Sequence, residues 1–399
     1  MPKLRSVSSL AACLILAAAV PSASGAAGRD GWNRAWTASM FAAPAPAQTL
    51  TIDTATIRSA IRVGAEGTKL RLRLSNAYGP DLRIGAASVR TATGAIVPVT
   101  FGGRTAVTMA TGGALVSDTV AAPVKAFDVV EVSLFIDGKA ALRTVHMAAG
   151  QPTEISGPGD HTATRFAAAG RHNARPLIAG IDVLGAKARP IVVAYGDSIT
   201  DNVGCANDTV PVCRWGDVLG RRLAEAGKPH VVVTQAIGGN RVLTPGMGPS
   251  ALDRFDRDVL AIPGVTHVVL LEGINDIGNS GLARNGRTQP AITVAQLTQG
   301  YAQIVRRAHA RRIKVIGLTV LPFEGAGYYS AGGEAMRVAV NDWIRTSKTF
   351  DAVVDLEKVV ADPANPKRLA DRLQSGDDLH PNGAGETVMG EAIPLELFR

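Results

Sequence analysis

The sequence predicts a two-part protein: a β-sandwich or jelly-roll-like region at residues 31–187, then an α/β domain with a parallel sheet at residues 188–399. Two observations support this division. Short stretches of alternating polar and apolar residues, separated by Gly, Pro and Asn clusters, run through the first region and indicate antiparallel strands. Further along, continuously apolar segments alternate with segments of helical length, which is typical of a parallel sheet covered on both faces. A chain of 399 residues is also longer than most single cores.

The alternation in the first region is clearest in Thr68–Ala77, Ala86–Ala92 and Asp128–Asp137. A period of two places apolar side chains on one face of a strand and polar ones on the other. Turn-forming residues recur roughly every ten positions, which favours a sandwich of short antiparallel strands.

The second region alternates between the two kinds of element. The expected strands are Ile191–Tyr195, His230–Gln235, His267–Leu271, Lys314–Thr319 and Ala352–Asp355. The expected helices are Trp215–Gly227, Ser250–Leu260, Thr293–Ala310, Gly333–Thr349 and a last one over about Gly385–Leu397. Ligands of such sheets bind beyond the carboxyl ends of the strands. The stretch "GDSIT", Gly196–Thr200, follows the first strand and therefore lies at the functional edge.

The N-terminus has the pattern of a secretory signal peptide, predicted to span residues 1–26. Lys3 and Arg5 provide the basic start, Leu10–Val20 is a short apolar segment, and small residues at Ser22–Ala27 suit cleavage. The apolar segment is too short to cross a membrane, so no stable membrane insertion is expected. These features predict a secreted or periplasmic protein.

An exported protein meets an oxidising compartment, in which cysteines pair. Cys205 and Cys213 lie eight residues apart and are predicted to form a disulfide, the alternative being two free cysteines. A pair without nearby His or further Cys makes a poor zinc site.

Several polar segments can gather at one edge of the parallel sheet and supply the parts of an acyl-transfer site. Ser198 offers a hydroxyl, and His380 can take its proton and return it to the leaving group. Asp377 precedes His380 by three residues, which lets its carboxylate reach the Nδ1–H and fix the tautomer. No metal or other cofactor is needed for this chemistry.

The oxyanion needs hydrogen-bond donors as well. Gly239 allows its backbone N–H to approach a tetrahedral centre closely, and Asn275 offers a side-chain NH2. The backbone N–H of Ser198 is the third candidate. Losing one such donor typically costs on the order of 100- to 1000-fold in rate.

These segments resemble the four blocks of the SGNH/GDSL hydrolase family. They read "GDSIT" for the nucleophile, "IGGN" at Ile237–Asn240, "GIND" at Gly273–Asp276 and "DDLHP" at Asp377–Pro381. The resemblance covers roughly residues 190–399. It implies a flavodoxin-like α/β/α fold and ester hydrolysis through an acyl-serine, in the roles given above. The first block has Ile199 where leucine is frequent, which is a conservative change.

The resemblance of the N-terminal region is weaker and rests on Leu74–Val89. That stretch is similar to the accessory domain of secreted members grouped with xylan-associated esterases. A short-acyl carboxylic ester is therefore the expected substrate, with O-acetyl groups on carbohydrate among the candidates. A lysophospholipase or thioesterase activity is the alternative.

Two other functional classes fit less well. The nucleophile elbow of α/β-hydrolases needs G-x-S-x-G, and Thr200 occupies the place of the second glycine. A carbohydrate-binding protein with an inactive hydrolase domain would be expected to have lost Ser198, Asn275, Asp377 or His380, and all four are present.

The formal charge of +8 is carried by scattered arginines, which is typical of a solvated surface and not of a nucleic-acid track. No G-x-G-x-x-G follows a strand and no phosphate loop occurs, so no nucleotide cofactor is indicated. The oligomeric state is left open. The remaining histidines lack metal-ligand spacing and are expected at the surface or at strand ends: His146, His161, His172, His230, His267 and His309.

Four acids lie near the motifs and need not take part in the chemistry. Asp197 is expected to brace its turn, Asp276 to hold its loop, and Glu272 to be a surface acid, with substrate contact as its alternative. Asp201 could cap the next segment or face the pocket. Three aromatic residues could line a pocket or merely pack: Trp215, Tyr328 and Tyr329.

Overall fold

The computed structural model describes residues 30–43, 49–147, 152–201, 214–284 and 287–399. The predicted signal peptide and both cysteines of the predicted disulfide, Cys205 and Cys213, lie outside the described residues. Those two expectations therefore stay predictions.

The N-terminal region consists of antiparallel strands. In chain order they are β1 (Trp32–Thr37), β2 (Phe41–Ala42), β3 (Leu50–Arg62), β4 (Lys69–Ser75), β5 (Leu82–Arg90), β6 (Ile96–Val99), β7 (Val107–Met109), β8 (Ala114–Val116), β9 (Val129–Leu142), β10 (Thr144–Met147), β11 (Thr153–Pro158), β12 (Gly170–His172), β13 (Ala174–Pro176) and β14 (Ile178–Leu184). They form three sheets. The largest has the order β12-β11-β3-β9-β5-β6 with β7 on β5, and the others are β1-β14-β4-β8 and β13-β10-β2.

The alternation seen in the sequence is the reason these strands pack. In β4, Leu70, Leu72 and Leu74 are buried, whereas Lys69 points outwards. The buried face of β9 is built in the same way from alternate apolar side chains. The predicted antiparallel β-rich region is confirmed.

The C-terminal region contains β15 (Ile191–Gly196), β16 (Val231–Ala236), β17 (Val265–Leu271), β18 (Ala283–Arg284), β19 (Arg287–Thr288), β20 (Lys314–Leu318) and β21 (Ala352–Val354). Five of them form a parallel sheet in the order β16-β15-β17-β20-β21. Counted from the first strand of the sheet, this order is the flavodoxin-like 2-1-3-4-5. The predicted flavodoxin-like α/β fold is confirmed.

The helices of this region are α1 (Ser198–Asp201), α2 (Trp215–Glu225), α3 (Ala251–Phe255), α4 (Ile274–Asn279), α5 (Val294–His309), α6 (Ala331–Thr346), α7 (Leu356–Val360) and α8 (Gly383–Glu391). A π-helical turn, Asp256–Leu260, continues α3. The last helix ends earlier than predicted, because Pro394 cannot continue it, and a 3₁₀ turn follows at Leu395–Leu397. Among the described residues, none of the helices is both long and apolar enough to span a membrane.

The order of the sheet places the catalytic motifs. All six residues of β15 are buried, since this strand lies between β16 and β17 and is covered on both faces. The chain leaves β15 towards β16 on one side and later returns on the other side as β17. The crevice at such a reversal, beyond the strand ends, is where ligands bind in these folds.

The N-terminal region reaches the same edge. Thr37 donates a hydrogen bond from Oγ1 to the carbonyl of Thr234 at 2.8 Å, and Ser39 donates from Oγ to Oε1 of Gln235 at 2.6 Å. Both acceptors lie near the carboxyl end of β16. The two regions therefore share an interface that extends to the motif loops.

Candidate active site

Ser198 lies on a single helical turn that follows β15 directly. Asp197 braces this turn as predicted, because its Oδ1 accepts the Ile199 N–H at 2.9 Å and its carbonyl accepts the Asp201 N–H at 2.9 Å. A side chain at Gly196 would collide with Oγ1 of Thr200 and the carbonyl of Leu271, so the abrupt change from strand to helix requires glycine there. Ser198 is left only 7% exposed.

The structure brings Ser198, His380 and Asp377 into one hydrogen-bonded chain. The Oγ of Ser198 lies 2.8 Å from Nε2 of His380, and Nδ1 of His380 lies 2.6 Å from Oδ2 of Asp377. The other carboxylate oxygen accepts the backbone N–H of His380 at 2.9 Å. Burial opposes ionisation of Asp377, but the hydrogen bonds from His380 outweigh it and lower the pKa of this carboxyl. Asp377 is thereby kept as an acceptor that selects the Nδ1–H tautomer.

The loop that carries the pair is held by contacts within itself. Asp378 adopts a left-handed backbone conformation (φ 58°), and Arg368 donates to its Oδ1 at 2.7 Å. The Ser375 N–H donates to the carbonyl of His380 at 2.9 Å, which closes the loop. Asn382 then caps α8 by accepting two backbone N–H groups. The imidazole is therefore fixed by short-range hydrogen bonds.

The two predicted oxyanion donors lie beyond the neighbouring strands. Gly239 has a φ of +69° in the loop after β16, and a Cβ built on Gly238 would lie 4.0 Å from that of Ser198, so this loop passes beside the nucleophile. Asn275 lies in α4, after β17, and donates from Nδ2 to the carbonyl of Asn240 at 3.0 Å. That bond uses one of the two N–H groups of the amide and anchors its orientation.

A hydroxyl, an imidazole and a carboxylate in sequence, next to candidate donors for an oxyanion, form the arrangement used for nucleophilic acyl transfer. Within the described ranges, His, Cys, Asp and Glu side chains form no group of three or more that could hold a metal ion.

Residues 194–388 match the GDSL-like Lipase/Acylhydrolase family. They are a GDSL-like hydrolase domain. The match spans the strand, the nucleophile turn, both donor loops and the Asp-His pair. The hydrolase domain is thus an esterase of the GDSL/SGNH type, as the sequence motifs predicted. No curated protein matches the chain at a significant level.

Solved structures similar to this chain match about half of it. A GDSL-like lipase from Bacteroides thetaiotaomicron is 20% identical, with 51% of this chain and 84% of that one covered and a TM-score of 0.38. An acetyl xylan esterase, AlAXEase, is 19% identical, with coverages of 51% and 96% and a TM-score of 0.39. A psychrotrophic esterase, EstA, from a Pseudoalteromonas species is 16% identical, with coverages of 51% and 93% and a TM-score of 0.36.

Buried acids surround the catalytic edge of the hydrolase domain. Asp276 holds the loop after β16 as predicted, because its carboxylate accepts the N–H groups of Val242 at 2.7 Å and Leu243 at 3.1 Å. Burial raises the pKa of Asp276 to about 6 and that of Asp197 to about 7. The interpretation of Glu272 as a surface acid is wrong: it is 3% exposed, and burial, together with the charge of Asp197, raises its pKa.

Glu272 can be buried because of Arg254, which the sequence analysis missed. Arg254 is 1% exposed and pairs with Glu272 at 3.2 Å. It also donates to the carbonyl of Gly196 at 2.8 Å and to Oδ1 of Asn240 at 2.8 Å. One guanidinium thus ties the segment before the nucleophile to the loop that carries Gly239. An arginine on an amphipathic helix gives no local signal of such a role.

Three of the remaining histidines are buried. Two of them still lie at strand ends as predicted, since His230 directly precedes β16 and His146 is next to last in β10, whereas His267 is the third residue of β17. His146, His230 and His267 are 5%, 6% and 2% exposed. His230 and His267 lie edge to face with each other and with Phe398, since neutral imidazoles pack like other aromatic rings. Burial lowers the pKa of His267 to about 4, so it stays neutral in the core.

The sequence left open whether three aromatic residues line a pocket or pack in the core, and the structure distinguishes them. Trp215 is completely buried and packs in the core. Tyr328 lies at the site, with its hydroxyl 3.4 Å from Oδ1 of Asn275, whereas Tyr329 reaches Glu324. Asp201 is buried, and its Oδ1 lies 3.0 Å from Nε2 of His146; the segment that it was expected to cap lies outside the described residues.

Proposed function

We propose that the protein is an exported serine esterase that hydrolyses carboxylic esters with short acyl groups through an acyl-serine intermediate. O-acetyl groups on carbohydrate are the substrate class to test first. The hydrogen-bonded chain from Ser198 through His380 to Asp377 is the observation that carries this proposal. In this assignment Ser198 is the nucleophile, His380 the general base and Asp377 the residue that orients it.

In the first half-reaction, Oγ of Ser198 attacks the ester carbonyl carbon while Nε2 of His380 takes the hydroxyl proton. The carbonyl oxygen becomes an oxyanion, to which the backbone N–H groups of Ser198 and Gly239 and the side-chain NH2 of Asn275 are assigned as donors. The carboxylate of Asp377 stabilises the imidazolium. The C–O bond to the alcohol then breaks, and His380 returns the proton to the leaving oxygen.

In the second half-reaction, a water molecule repeats the attack on the acyl-serine. His380 takes one proton from this water and passes it to Oγ of Ser198 as the acyl–oxygen bond breaks. The carboxylic acid leaves, and the serine hydroxyl is regenerated.

The preference for short acyl groups is supported by bulky side chains beside the oxyanion donors. The side chain of Met247 packs against Gly239, and Tyr328 covers Gly278 next to Asn275. Because both lie beside the groups assigned to the oxyanion, we infer that they limit the room for an acyl chain there. The N-terminal β-region and the export signal add to the case for a carbohydrate ester.

The test is the hydrolysis of p-nitrophenyl acetate, butyrate, octanoate and palmitate by the purified protein and by S198A. We expect acetate and butyrate to be the best substrates, and kcat to fall by roughly 10⁴- to 10⁶-fold in S198A, which binds substrate but has no nucleophile. Activity that survives in S198A would reject Ser198 as nucleophile. A preference for octanoate or palmitate would favour the lysophospholipase or thioesterase alternative.

Acetate release from acetylated xylan tests whether the protein hydrolyses O-acetyl esters on carbohydrate, with deacetylated xylan as the blank.

Export is tested by expressing the full chain in a bacterium and sequencing the N-terminus of the secreted or periplasmic protein. We expect it to begin within or just after Ser22–Ala27. Thiol titration of the same unfolded sample, with and without reductant, reports whether Cys205 and Cys213 are bonded.

A further inference from the structure

The smallest sheet of the N-terminal region, β13-β10-β2, lies directly against the hydrolase domain. Phe41 of β2 and Val145 of β10 form a buried apolar cluster with Ile237, which is in the loop that carries Gly239. The backbone of Gly248 is packed against the same Phe41 and Ile237 side chains. The N-terminal region therefore forms part of the wall around the proposed oxyanion donors.

His146 on β10 extends this contact to the nucleophile turn. Its Nδ1 lies 3.1 Å from the carbonyl oxygen of Ser39, and its Nε2 lies 3.0 Å from Oδ1 of Asp201. The contact between Nε2 and Oδ1 joins β10 to the nucleophile turn. The two side chains are only 6% and 8% exposed, so water competes little for this contact.

Asp201 is the last residue of α1, and Ser198 is its first. A helix of one turn has almost no stability of its own, so its orientation depends on what holds its two ends. Asp197 holds the start of the turn through the Ile199 N–H. His146 holds its end through Asp201.

Two arginines also interact electrostatically with Asp201, namely Arg175 on β13 and Arg214 before α2. Replacing Asp201 would therefore disturb more than its bond with His146. A substitution at His146 is the cleaner way to interrupt the contact between the two regions.

We propose that His146 is a positioning residue, which sets the orientation of Ser198 by fixing Asp201. The proposal rests on the function proposed above, with Ser198 as nucleophile. The N-terminal β-region then completes the active site of the hydrolase domain: it supplies no reacting group but supplies the imidazole that holds the nucleophile turn.

The chain offers a matched pair of substitutions at this position. The amide nitrogen of Gln can take the place of Nε2 and donate to Asp201, whereas that of Asn can take the place of Nδ1 and donate only to Ser39. H146Q therefore keeps the contact with the nucleophile turn and H146N loses it. H309Q is the control, because His309 forms a similar pair with Asp351 at 2.8 Å on the surface of α5.

The measurements are kcat and KM for p-nitrophenyl acetate, the rate of covalent labelling by a fluorophosphonate, and thermal unfolding. We expect H146N to lower kcat and the labelling rate by about 10- to 100-fold, as for a misplacement of about 1 Å, with KM little changed. H146Q should retain most of the kcat and labelling rate of the unchanged protein, and H309Q should match it in both. A loss of kcat and labelling rate in H146N that H146Q recovers, measured at a temperature at which every variant is fully folded, supports positioning.

Three results would overturn the proposal: an unchanged kcat in H146N, equal losses in H146N and H146Q, or a rise in KM with kcat retained, which would indicate substrate contact. Failure of the proposed function looks different. In that case the unchanged protein would react with neither the ester nor the fluorophosphonate, or S198A would react as fast as it does.

Discussion

The two halves of the proposed triad are held in opposite ways. Ser198 is 7% exposed and lies on a turn fixed by residues distant in the chain, including Arg254 and His146. The side chain of Asp377 is 47% exposed, and with His380 it lies on a loop held by its own neighbours. The nucleophile therefore depends on long-range packing, whereas the base depends on short-range hydrogen bonds.

Because of this difference, substitutions on the two sides of the triad should affect the reaction rate and the folding stability differently. A change in the exposed loop should alter the rate and leave the fold intact, because few other groups depend on it. A change beneath the nucleophile should cost stability as well, since it leaves buried polar groups without partners.

The sharpest test of the exposed half is D377N. We expect kcat for p-nitrophenyl acetate to fall by roughly 10³- to 10⁴-fold, because a neutral amide cannot stabilise the imidazolium and does not enforce the Nδ1–H tautomer. KM and the melting temperature should change little. Steady-state kinetics and thermal unfolding of the same preparation provide the measurement.

D378N is the matched control for that prediction. Asp378 is the adjacent carboxylate, but it pairs with Arg368, and Asn tolerates the left-handed backbone conformation found there. D378N should keep most of the activity. Equal losses in the two variants would show that the charge of the loop matters and not the bond to His380.

R254M tests whether folding stability depends on the buried contacts beneath the nucleophile turn. The guanidinium lies 4.1 Å over the ring of Tyr195 and pairs with Glu272 and Asp258. Removing it leaves the buried Glu272 without its hydrogen-bond donor, whereas Asp258 keeps Arg257 and the carbonyl of Gly196 keeps the Ile237 N–H. We therefore expect the free energy of unfolding to fall by about 3–5 kcal/mol. Urea unfolding, followed by circular dichroism, measures this change.

R345M provides the comparison for that loss. Arg345 also binds acids, namely Asp342, Asp355 and Glu357, but its side chain is 24% exposed, and water can solvate the acids when it is removed. We expect a cost of about 1 kcal/mol. Similar costs for R254M and R345M would contradict the claim that the nucleophile side is the more dependent on buried pairing.

The same contrast explains how much the sequence could predict. Asp377 and His380 were predicted as a pair because three residues of chain suffice to bring them together. Their segment was expected beside Ser198 because it opens the last helix at the same edge of the sheet. Arg254 bonds to Gly196, 58 residues away in the chain, and His146 bonds to Asp201 across the two regions. No local pattern encodes such contacts, so a single sequence does not reveal them.

The elements of the fold also differ in how well a local sequence pattern predicts them. The strands of the parallel sheet were predicted within about two residues, since continuous apolar runs define them. The short helices α4 and α7 were not predicted, because one or two turns show no recognisable periodicity. The division of the N-terminal strands into three sheets also depends on pairings between distant segments, such as β1 with β14.

The last prediction uses pH to test the buried acids beneath the nucleophile. Asp197 has a pKa raised from 3.8 to about 7 by burial. Between these values the folded protein keeps a proton that the unfolded chain has lost, so the free energy of unfolding falls as the pH rises from about 4 to 7. Asp276, raised to about 6, acts in the same direction, whereas His267, lowered to about 4, opposes them below about pH 6.5.

D197N removes one of these contributions. Between pH 5 and pH 8, the free energy of unfolding of the unchanged protein should fall by about 2–3 kcal/mol more than that of D197N. D81N is the control: hydrogen bonds from Thr111 lower the pKa of this exposed acid, so it is ionised throughout the range and its loss should leave the slope unchanged. Urea unfolding at both pH values gives the comparison. If D197N kept the full slope, Asp197 would be ionised in the folded protein, and its burial would have to be balanced by the charge of Arg254.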